Sequence, residues 1–470
     1  MKVPSLPLGV SPRQGALALL IGALGAAAFP PVGLFPVIFV SIALFLLLIR
    51  NHDAQSARNL GLLYGLAFAV GTMYWLFAIF KAMAVPLVAI MAAYFGVLAT
   101  LIAMTRNQRP LVRAYLVAMF AVAVEWVRGD AWYLRFPWFT PPHALALAPV
   151  WIAPVHWLGT YGFSYLIWFL AALGAFWRMC VWAAFLAIPA AWLLLPHFDA
   201  PDRRALLIQS EVEPVELWVA RVPKDKVDLV VMPEYAYTRS PASAMASPHN
   251  PASLAKAVSA PVVFGAVEGE YGSTDFSNVA AVVDANGELL GTFPKQRPVP
   301  LMADGTPGQR RRVFPADQGI LGVAVCYDFD APEVAAWLAR HDATVFVDPT
   351  FDAMEWGNMQ HVNHEQILRI RAVENDRWIV RCASSGRSEV IDPHGVPSQE
   401  GIEIGERGYV TLPFGHRNSF ALGGQLYFLG PACAGATFLF LFYRAVCFVW
   451  GRIVLPAKPQ AATPAETPSP

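Results

Sequence analysis

The chain has 470 residues, of which 56% are hydrophobic and only 14% are charged. Soluble globular proteins carry about 25% charged residues, so this composition excludes an ordinary soluble enzyme and indicates a membrane protein. The 34 basic and 34 acidic residues balance, and without a surplus of cations there is no electrostatic reason to expect nucleic acid as a partner.

The charges are distributed unevenly along the chain. Thirty of the 34 acidic residues lie between residues 199 and 425. This distribution predicts a seven-span membrane domain at 1–197, a water-soluble domain at 198–425 and a closing transmembrane helix at 426–452. The last segment, 453–470, is rich in Pro, Ala and Thr without periodicity and is predicted to be a disordered cytoplasmic tail.

Eight nearly uncharged runs predict transmembrane helices, since about 20 apolar residues cover ~30 Å of hydrocarbon. They lie at about 14–29, 33–49, 59–80, 84–104, 111–127, 157–176, 179–196 and 426–450. Lys and Arg are more frequent in the segments on the same side as the chain ends, and such segments stay in the cytoplasm. Both ends are therefore predicted inside, which places the soluble domain on the outer side.

Two features of the membrane half carry candidate function. Glu125 is the one carboxylate predicted in or near hydrocarbon, and the simpler interpretation is a partner for Arg128 or interfacial solvation, with a substrate role as the alternative. The segment 132–138, WYLRFPW, and Trp151 are typical of an interfacial aromatic belt. Such a belt anchors the depth of the protein and could also line an entrance for lipid.

Between residues 205 and 425, short β-rich runs alternate with helical ones, which indicates an α/β or layered α+β domain. Helices are predicted near 211–226, 332–340 and 361–376. The predicted strands are ALLIQ, VDLVVM, PVVFGAV, VAAVVD, LGVAVCYD, ATVFVDP, WIVRCAS and SEVID.

Three of these elements lead into a reactive side chain. Glu234 follows VDLVVMP, where partial burial would raise its pKa and suit it to general-base chemistry. Lys295 follows an Asn-Gly hairpin signal, and its ammonium could stabilise an oxyanion and favour a neighbouring thiolate. Cys326 ends LGVAVC just before a predicted helix, whose N-terminus would lower the thiol pKa, and the N–H of Tyr327 is a natural oxyanion donor. Each residue alone is usually structural, and the combination predicts a catalytic site.

The order Glu234, Lys295, Cys326 resembles that of the nitrilase superfamily, and in particular its membrane-embedded branch, the apolipoprotein N-acyltransferases. Three further segments resemble the family: HVNHEQILRIRAVENDRWIVRCASSGRSEVIDPHG at 361–395, RFPWF at 135–139 and LGTYGFSYLIWFLAALGAF at 158–176. The resemblance implies a membrane α-helical bundle of about eight spans plus an α/β nitrilase-like domain, a four-layer α-β-β-α sandwich. It also implies the bacterial inner (cytoplasmic) membrane, with the catalytic domain facing the periplasm.

The chain departs from the family pattern near the lysine. A Glu usually follows the Lys by about eight residues, whereas this chain has Ala303 with Asp304 next to it, and Asp328 stands where a Glu commonly follows the Cys by two. The 31 residues from Lys295 to Cys326 are fewer than a family with a mobile lid loop normally has there. Asp304, Asp328 and Tyr327 are expected to support the site, and the acceptor specificity stays open.

The resemblance implies ping-pong acyl transfer. Cys326 would take an acyl chain from a phospholipid as a thioester and pass it to the α-amino group of the diacylglyceryl-cysteine of a lipoprotein, with Glu234 as base. Lys295 and the N–H of Tyr327 would hold the oxyanion. The expected partners are the phospholipid acyl donor, the lipoprotein acceptor and the lipid bilayer, and no organic cofactor or metal is expected.

Two other functions remain possible from the sequence. One is a membrane-bound nitrilase-like amidase or hydrolase with the same triad, in which water replaces the acceptor amine. The other is a degenerate domain that only binds lipid or a partner protein, against which the intact triad argues. His361 and His364 with Glu365 could be misread as a zinc motif but are expected on an exposed helix face.

Overall fold

A computed structural model of the chain describes residues 9–177, 182–317 and 319–454. The N-terminal half is helical, because backbone groups in hydrocarbon can be satisfied only within a helix or a closed barrel. Its helices are Pro12–Ala26, Val37–Ile49, Ala54–Met73, Leu76–Phe80, Ala84–Ala103, Pro110–Trp126, Pro141–Leu145, Val155–Trp177 and Trp182–Ala187. Short 3₁₀ or π turns occur at Lys81–Met83, Val127–Ala131, Pro149–Trp151 and Ile188–Leu194.

Four helices of the described chain are long and apolar enough to cross a membrane: Leu76–Ala103, Pro110–Ala131, Val155–Trp177 and Leu422–Trp450. They coincide with the predicted spans 84–104, 111–127, 157–176 and 426–450. The count of eight spans is not confirmed. The first three remaining predictions coincide mainly with the helices Pro12–Ala26, Val37–Ile49 and Ala54–Met73.

Helix length explains why the count of eight spans is not confirmed, most clearly for the helix Val37–Ile49, which has 13 residues. At 1.5 Å per residue such a helix is about 20 Å long, shorter than the ~30 Å of hydrocarbon. The predicted span 179–196 contains the short apolar helix Ala184–Leu194, and its first residues lie outside the described chain. The closing helix Leu429–Val454 runs two residues past the predicted boundary, and the rest of the predicted tail also lies outside the described residues.

Small residues set the distance between the helices Ala54–Met73 and Ala84–Ala103. A Cβ atom on Gly65 would lie 2.8 Å from the Cα of Ala92, and one on Gly61 would lie 2.5 Å from the carbonyl oxygen of Phe95. Glycine therefore lets the two backbones touch, as is common between helices packed in a membrane.

Residues 203–414 form an α/β domain of two sheets. Its strands, numbered β1 to β11 in chain order, are Arg203–Gln209, Leu229–Val231, Val262–Glu268, Ser277–Val283, Leu289–Pro294, Phe314–Ala316, Gly319–Val323, Val345–Thr350, Trp378–Ala383, Glu389–Ile391 and Gly408–Phe414. The strand order is β11-β1-β2-β3-β4-β5 in the first sheet and β10-β9-β8-β7-β6 in the second. Strands β1 to β3 are parallel, as are β7 to β9, and the other neighbours are antiparallel.

The two sheets pack face to face with helices outside them. Alternation along β1 sends Leu207 into the core shared with the second sheet and Leu206 into a core against helices. The order helix, sheet, sheet, helix is the layered sandwich that the resemblance implied. The helices over the first sheet are Val215–Arg221, Pro241–Met245 and Pro251–Val258, and those over the second are Pro332–Arg340 and Asn358–Asn375.

Buried hydrogen bonds join the α/β domain to the membrane half. Trp138 Nε1 donates to Asp330 Oδ2 at 2.5 Å. The backbone N–H of Thr160 donates to Glu374 Oε1 at 2.7 Å. His143 Nδ1 accepts from the Phe139 N–H, so its Nε2 donates to the Asn363 carbonyl at 2.9 Å. The two halves therefore share a polar interface, and the domain is not a separate body on a tether.

Candidate active site

Glu234 lies three residues beyond the buried strand β2 and is itself buried. Its Oε1 accepts hydrogen bonds from Lys295 Nζ at 2.8 Å and from Asn278 Nδ2 at 2.6 Å. Its Oε2 accepts from the backbone N–H of Phe351 at 2.7 Å. The neighbouring strand β3 can approach this closely because residue 265 is glycine, where a Cβ would lie 2.5 Å from the Glu234 Cα.

Lys295 follows strand β5 directly and is only 1% exposed. Its ammonium lies between two carboxylates, 2.8 Å from Glu234 Oε1 and 2.7 Å from Asp304 Oδ2. Asp304 is buried, whereas Ala303 beside it is exposed. The carboxylate that faces the lysine is therefore supplied one position later than the family pattern places it.

Cys326 comes after strand β7, at the first position of a 3₁₀ turn that runs to Asp330. Its φ of 52° lies in the left-handed region, which a residue with a Cβ adopts only at a cost. The Cys326 N–H donates to Asp348 Oδ1 at 3.1 Å, and Sγ lies 3.9 Å from the Phe351 carbonyl oxygen. The sharp turn therefore presents the thiol beside the segment that follows strand β8.

Phe351 connects the predicted triad. Its N–H holds Glu234 and its carbonyl oxygen lies against Cys326 Sγ, so one residue contacts both groups. Lys295 is hydrogen-bonded to Glu234. Three side chains that are 61 and 31 residues apart in sequence thus lie in one cluster at the ends of strands β2, β5 and β7.

Burial controls protonation in this cluster. Burial raises the pKa of Glu234, as the sequence predicted, although Lys295 opposes the shift. Burial also raises the pKa of the Cys326 thiol well above its usual value, and the Glu234 charge raises it further while Lys295 lowers it. The prediction of a depressed thiol pKa is therefore wrong, because desolvation outweighs the lysine. Burial thus favours the neutral thiol over the thiolate.

The side chains of Asp328 and Tyr327 link the site to neighbouring segments. Asp328 accepts from the backbone N–H groups of Gln296, Arg297 and Val325 at 2.9, 2.7 and 3.0 Å. It ties the loop after Lys295 to the turn that carries the cysteine. The Tyr327 hydroxyl donates to the carbonyl of Arg135 at 2.5 Å, so this side chain points into the membrane half.

Sequence reasoning missed two residues of the cluster. Asn278 Nδ2 donates to Asp304 Oδ1 at 3.0 Å as well as to Glu234, and the Tyr235 hydroxyl donates to the same Asp304 oxygen at 2.8 Å. The available signals were Asn278, a polar residue inside the apolar run of β4, and Tyr235, which follows the predicted base. Asn278 holds the carboxylates of Glu234 and Asp304, and Tyr235 holds that of Asp304.

A second buried cluster lies next to the cysteine. His364 Nδ1 is 2.8 Å from Asp352 Oδ1, and Arg381 pairs with both Asp352 and Asp348. Although burial opposes it, the Asp352 carboxylate raises the pKa of His364. The exposed helix face expected for His361, His364 and Glu365 is wrong, since all three are buried. In the described ranges, no group of three His, Cys, Asp or Glu side chains is arranged to hold a metal.

An apolar cavity leads from the membrane half to the thiol. It contains about 910 Å³ of space not filled by protein atoms, including a part open to the surroundings. Residues of the membrane half, among them Met73, Leu87 and Phe136, form one wall, and the loop 299–302 forms another. Cys326 also lines the cavity, so the nucleophile faces a space suited to an acyl chain.

Glu125 is an electrostatic neighbour of Arg128, but its direct partners are neutral side chains and it is not solvated at the interface. It is buried, its Oε2 accepts from Ser164 Oγ at 2.6 Å, and its Oε1 accepts from Trp168 Nε1 at 3.1 Å. No ion pair with Arg128 is found within the described residues. Of the predicted aromatic belt, Phe136 and Trp138 line the apolar cavity, while Tyr133 is exposed.

Family models match both halves of the chain. The model of the apolipoprotein N-acyltransferase N-terminal domain matches residues 21–173, and the carbon-nitrogen hydrolase model matches residues 203–408.

Relatives align over most of the length. An apolipoprotein N-acyltransferase of Pseudomonas aeruginosa is 28% identical over 477 residues, covering 83% of this chain and 89% of the relative. One from Azotobacter vinelandii is 27% identical over 456 residues, covering 81% and 85%. A solved amidase from Nesterenkonia sp. aligns with 46% of this chain and 92% of its own, at 21% identity and a TM-score of 0.38. The chain therefore belongs to the apolipoprotein N-acyltransferase family within the nitrilase superfamily.

Proposed function

We propose that this membrane acyltransferase moves an acyl chain from a phospholipid, through a thioester on Cys326, to the α-amino group of the diacylglyceryl-cysteine of a lipoprotein. The observation that carries the proposal is the apolar cavity that runs from the membrane half to Cys326. An enzyme acting on small soluble amides has no need of such a space. The proposal also rests on the family of the chain.

In the first half-reaction, Glu234 accepts the thiol proton while sulfur attacks the ester carbonyl. Because burial favours the neutral thiol, proton transfer and attack are coupled, and a base with a raised pKa suits that task. The C–O bond then breaks, Glu234 returns the proton to the leaving alkoxide, and a lysophospholipid departs. Lys295 and the N–H of Tyr327 stabilise the negative oxygen of the tetrahedral intermediate.

In the second half-reaction, the α-amino nitrogen of the lipoprotein attacks the thioester carbonyl. Glu234 takes a proton from the amine, the C–S bond breaks, and the thiolate recovers a proton as the amide leaves. Asp304 keeps the ammonium of Lys295 fixed beside Glu234 throughout, the role of the missing family carboxylate. The support for this is its 2.7 Å ion pair with Lys295.

The same proposal includes the placement in the bacterial inner membrane. The closing helix is consistent with lipid contact, since Phe438, Phe442 and Trp450 are all more than 60% exposed. The proposal counts the remaining apolar helices as spans too, including Val37–Ile49, which is shorter than the hydrocarbon layer. Eight spans would then put both chain ends in the cytoplasm and the catalytic domain in the periplasm. That side is where lipoprotein N-termini and the outer leaflet are accessible.

Mass spectrometry of lipoprotein N-termini tests the transferase directly. Bacteria whose own enzyme is depleted, complemented with this chain, are expected to carry an amide-linked acyl group on the lipidated cysteine. Intact-protein mass spectrometry with phospholipid alone should show one acyl chain on the enzyme, absent in Cys326→Ala. Cys382→Ala is the matched control, because Cys382 is also buried but its Sγ contacts the Ile208 carbonyl.

Two outcomes would overturn the proposal. An acyl-enzyme that forms but releases only free fatty acid, with no N-acylated lipoprotein, identifies a hydrolase. The absence of any acyl-enzyme with every donor identifies a domain that binds without catalysis.

A further inference from the structure

Arg128 is a buried cation that has no carboxylate at salt-bridge distance in the described chain. It lies in the π turn Val127–Ala131 at the end of a candidate span and is 6% exposed. Its hydrogen bond, from Nη1, goes to the Sδ of Met91 at 3.4 Å, and no carboxylate of the described chain lies within salt-bridge distance. A thioether is a weak acceptor for a group with five N–H donors. Burying such a cation is costly unless an anion joins it.

The protein holds this arginine in place without a direct ion pair. Glu125, one turn earlier, acts on Arg128 through its charge, but its two oxygens are hydrogen-bonded to Ser164 and Trp168. The Arg128 carbonyl accepts from the N–H of Phe136 at 2.9 Å, which closes the aromatic loop back onto the turn. The backbone around Arg128 is therefore fixed, and an incoming ligand is the natural source of the missing anion.

Arg128 lies between two cavities. It is the single permanently charged side chain on the wall of the apolar cavity that contains Cys326. It also lines a second cavity inside the helical bundle, with about 490 Å³ of unfilled space between residues such as Ile42, Phe68 and Leu98. Met91 and Tyr94 are shared by both cavities. An anion held at Arg128 thus has apolar space on two sides, one side ending at the thiol.

We propose that Arg128 binds the phosphodiester of the acyl donor, so that one acyl chain extends toward Cys326 and the retained chain occupies the second cavity. A guanidinium matches the paired oxygens of a phosphate with two parallel hydrogen bonds. A glycerophospholipid has this shape, with a phosphate and two chains on one glycerol. The inference rests on the proposed function and assigns its donor site.

The test compares two donors with the same chains, one with and one without the phosphate. Dipalmitoyl phosphatidylglycerol and dipalmitoylglycerol are offered separately to the full-length enzyme in mixed micelles, and thioester formation on Cys326 is followed by intact-protein mass spectrometry. Wild type is expected to favour the phospholipid by about 10- to 100-fold in kcat/KM. Arg128→Gln should lose that preference through a raised KM for the phospholipid, so that the two donors react with similar kcat/KM. Arg128→Lys, which keeps the charge, should retain part of it.

Arg113→Gln is the matched control. Arg113 is a buried arginine of the helix Pro110–Trp126, but its Nη2 donates to the Arg50 carbonyl at 2.7 Å and its guanidinium packs on Phe176. It lines neither cavity. This variant carries a similar structural cost and should keep the donor preference.

Three results would overturn the inference. They are a donor preference unchanged in Arg128→Gln, equal loss with both donors, and wild type that reacts as well with dipalmitoylglycerol. The last of these results, combined with inhibition of wild type by millimolar inorganic phosphate, would identify a free-phosphate site. All of these outcomes presuppose thioester formation with some donor, whereas its complete absence is the failure of the proposed function itself.

Discussion

The α/β domain and the membrane half treat buried charge in opposite ways. In the domain, Lys295 lies between two carboxylates and Arg381 pairs with two others. In the membrane half, Glu125 is held by neutral donors and Arg128 by a thioether. The paired charges of the domain hold the side chains of the polar cluster in place. A buried cation without a carboxylate at salt-bridge distance is suited to an anionic ligand.

The α/β domain and the membrane half also contribute different surfaces to the site. The polar cluster lies at the ends of the strands, where the sheets fix its geometry, and the membrane half contributes the apolar cavity. The proposed mechanism therefore assigns proton transfer and lipid binding to different parts of the chain. Substitutions in the two parts should therefore affect acylation differently, and the following substitutions test this.

The largest effect is expected from Glu234→Gln. The amide preserves the shape of the side chain but cannot accept the thiol proton, so thioester formation should fall by about 10²- to 10⁴-fold. Stopped-flow or quenched-flow acylation with a phospholipid donor measures the rate, and thermal melting in detergent verifies folding. A variant that acylates at the wild-type rate would remove Glu234 from the mechanism.

Asp304→Asn is expected to have an intermediate effect, a fall of about tenfold through weaker positioning of Lys295. It should also move the pH profile. Burial raises the pKa of Glu234 and the charge of Asp304 raises it further, so removing that charge lowers the pKa. Since Glu234 must be ionised to act, the rate rises with pH through this pKa, and the rising limb should shift to lower pH.

The control for this prediction uses the neighbouring position. Adding Ala303→Glu to Asp304→Ala restores the family carboxylate in sequence, but residue 303 is exposed, so activity should stay low. Full rescue, or a rising limb that moves to higher pH in Asp304→Asn, would show that Asp304 does not act through Lys295 and Glu234.

The smallest effect is expected from Glu125→Gln. The amide oxygen can still accept from Trp168 or Ser164, so kcat/KM should stay within about threefold and stability should fall by about 1 kcal/mol. Acylation kinetics and a detergent melting curve measure the two quantities. A loss of acylation beyond tenfold without loss of stability would instead favour the substrate role that the sequence left open for Glu125.

The sequence predicted the layered α/β domain and the cluster of Glu234, Lys295 and Cys326, because strands with apolar runs end at these residues. It missed β5, β6 and β11, whose sequences LLGTFP, FPA and GYVTLPF lack a clear alternating pattern. All three are edge strands of their sheets, where one side needs less apolar burial.

The pKa of Cys326 and the burial of His364 depend on three-dimensional contacts that cannot be predicted from the spacing of residues in the sequence. The pKa of Cys326 was predicted with the wrong sign because its local signals, a lysine and a helix start, omit the desolvation that the whole site imposes. The burial of His364 arises from the aromatic ring of Trp138, which stacks on it with centroids 5.9 Å apart. No pattern within either segment predicts that contact.

The hydrogen bond from Trp138 to Asp330 bears on how the enzyme can be studied. A truncated catalytic fragment starting near residue 199 would retain the polar cluster while losing the indole that covers Asp330 and His364 and most of the apolar cavity wall. Inhibitor screens on such a fragment would therefore select compounds against a surface that the intact enzyme never exposes. Screening for compounds that bind the apolar cavity requires the full-length chain in a lipid or detergent environment.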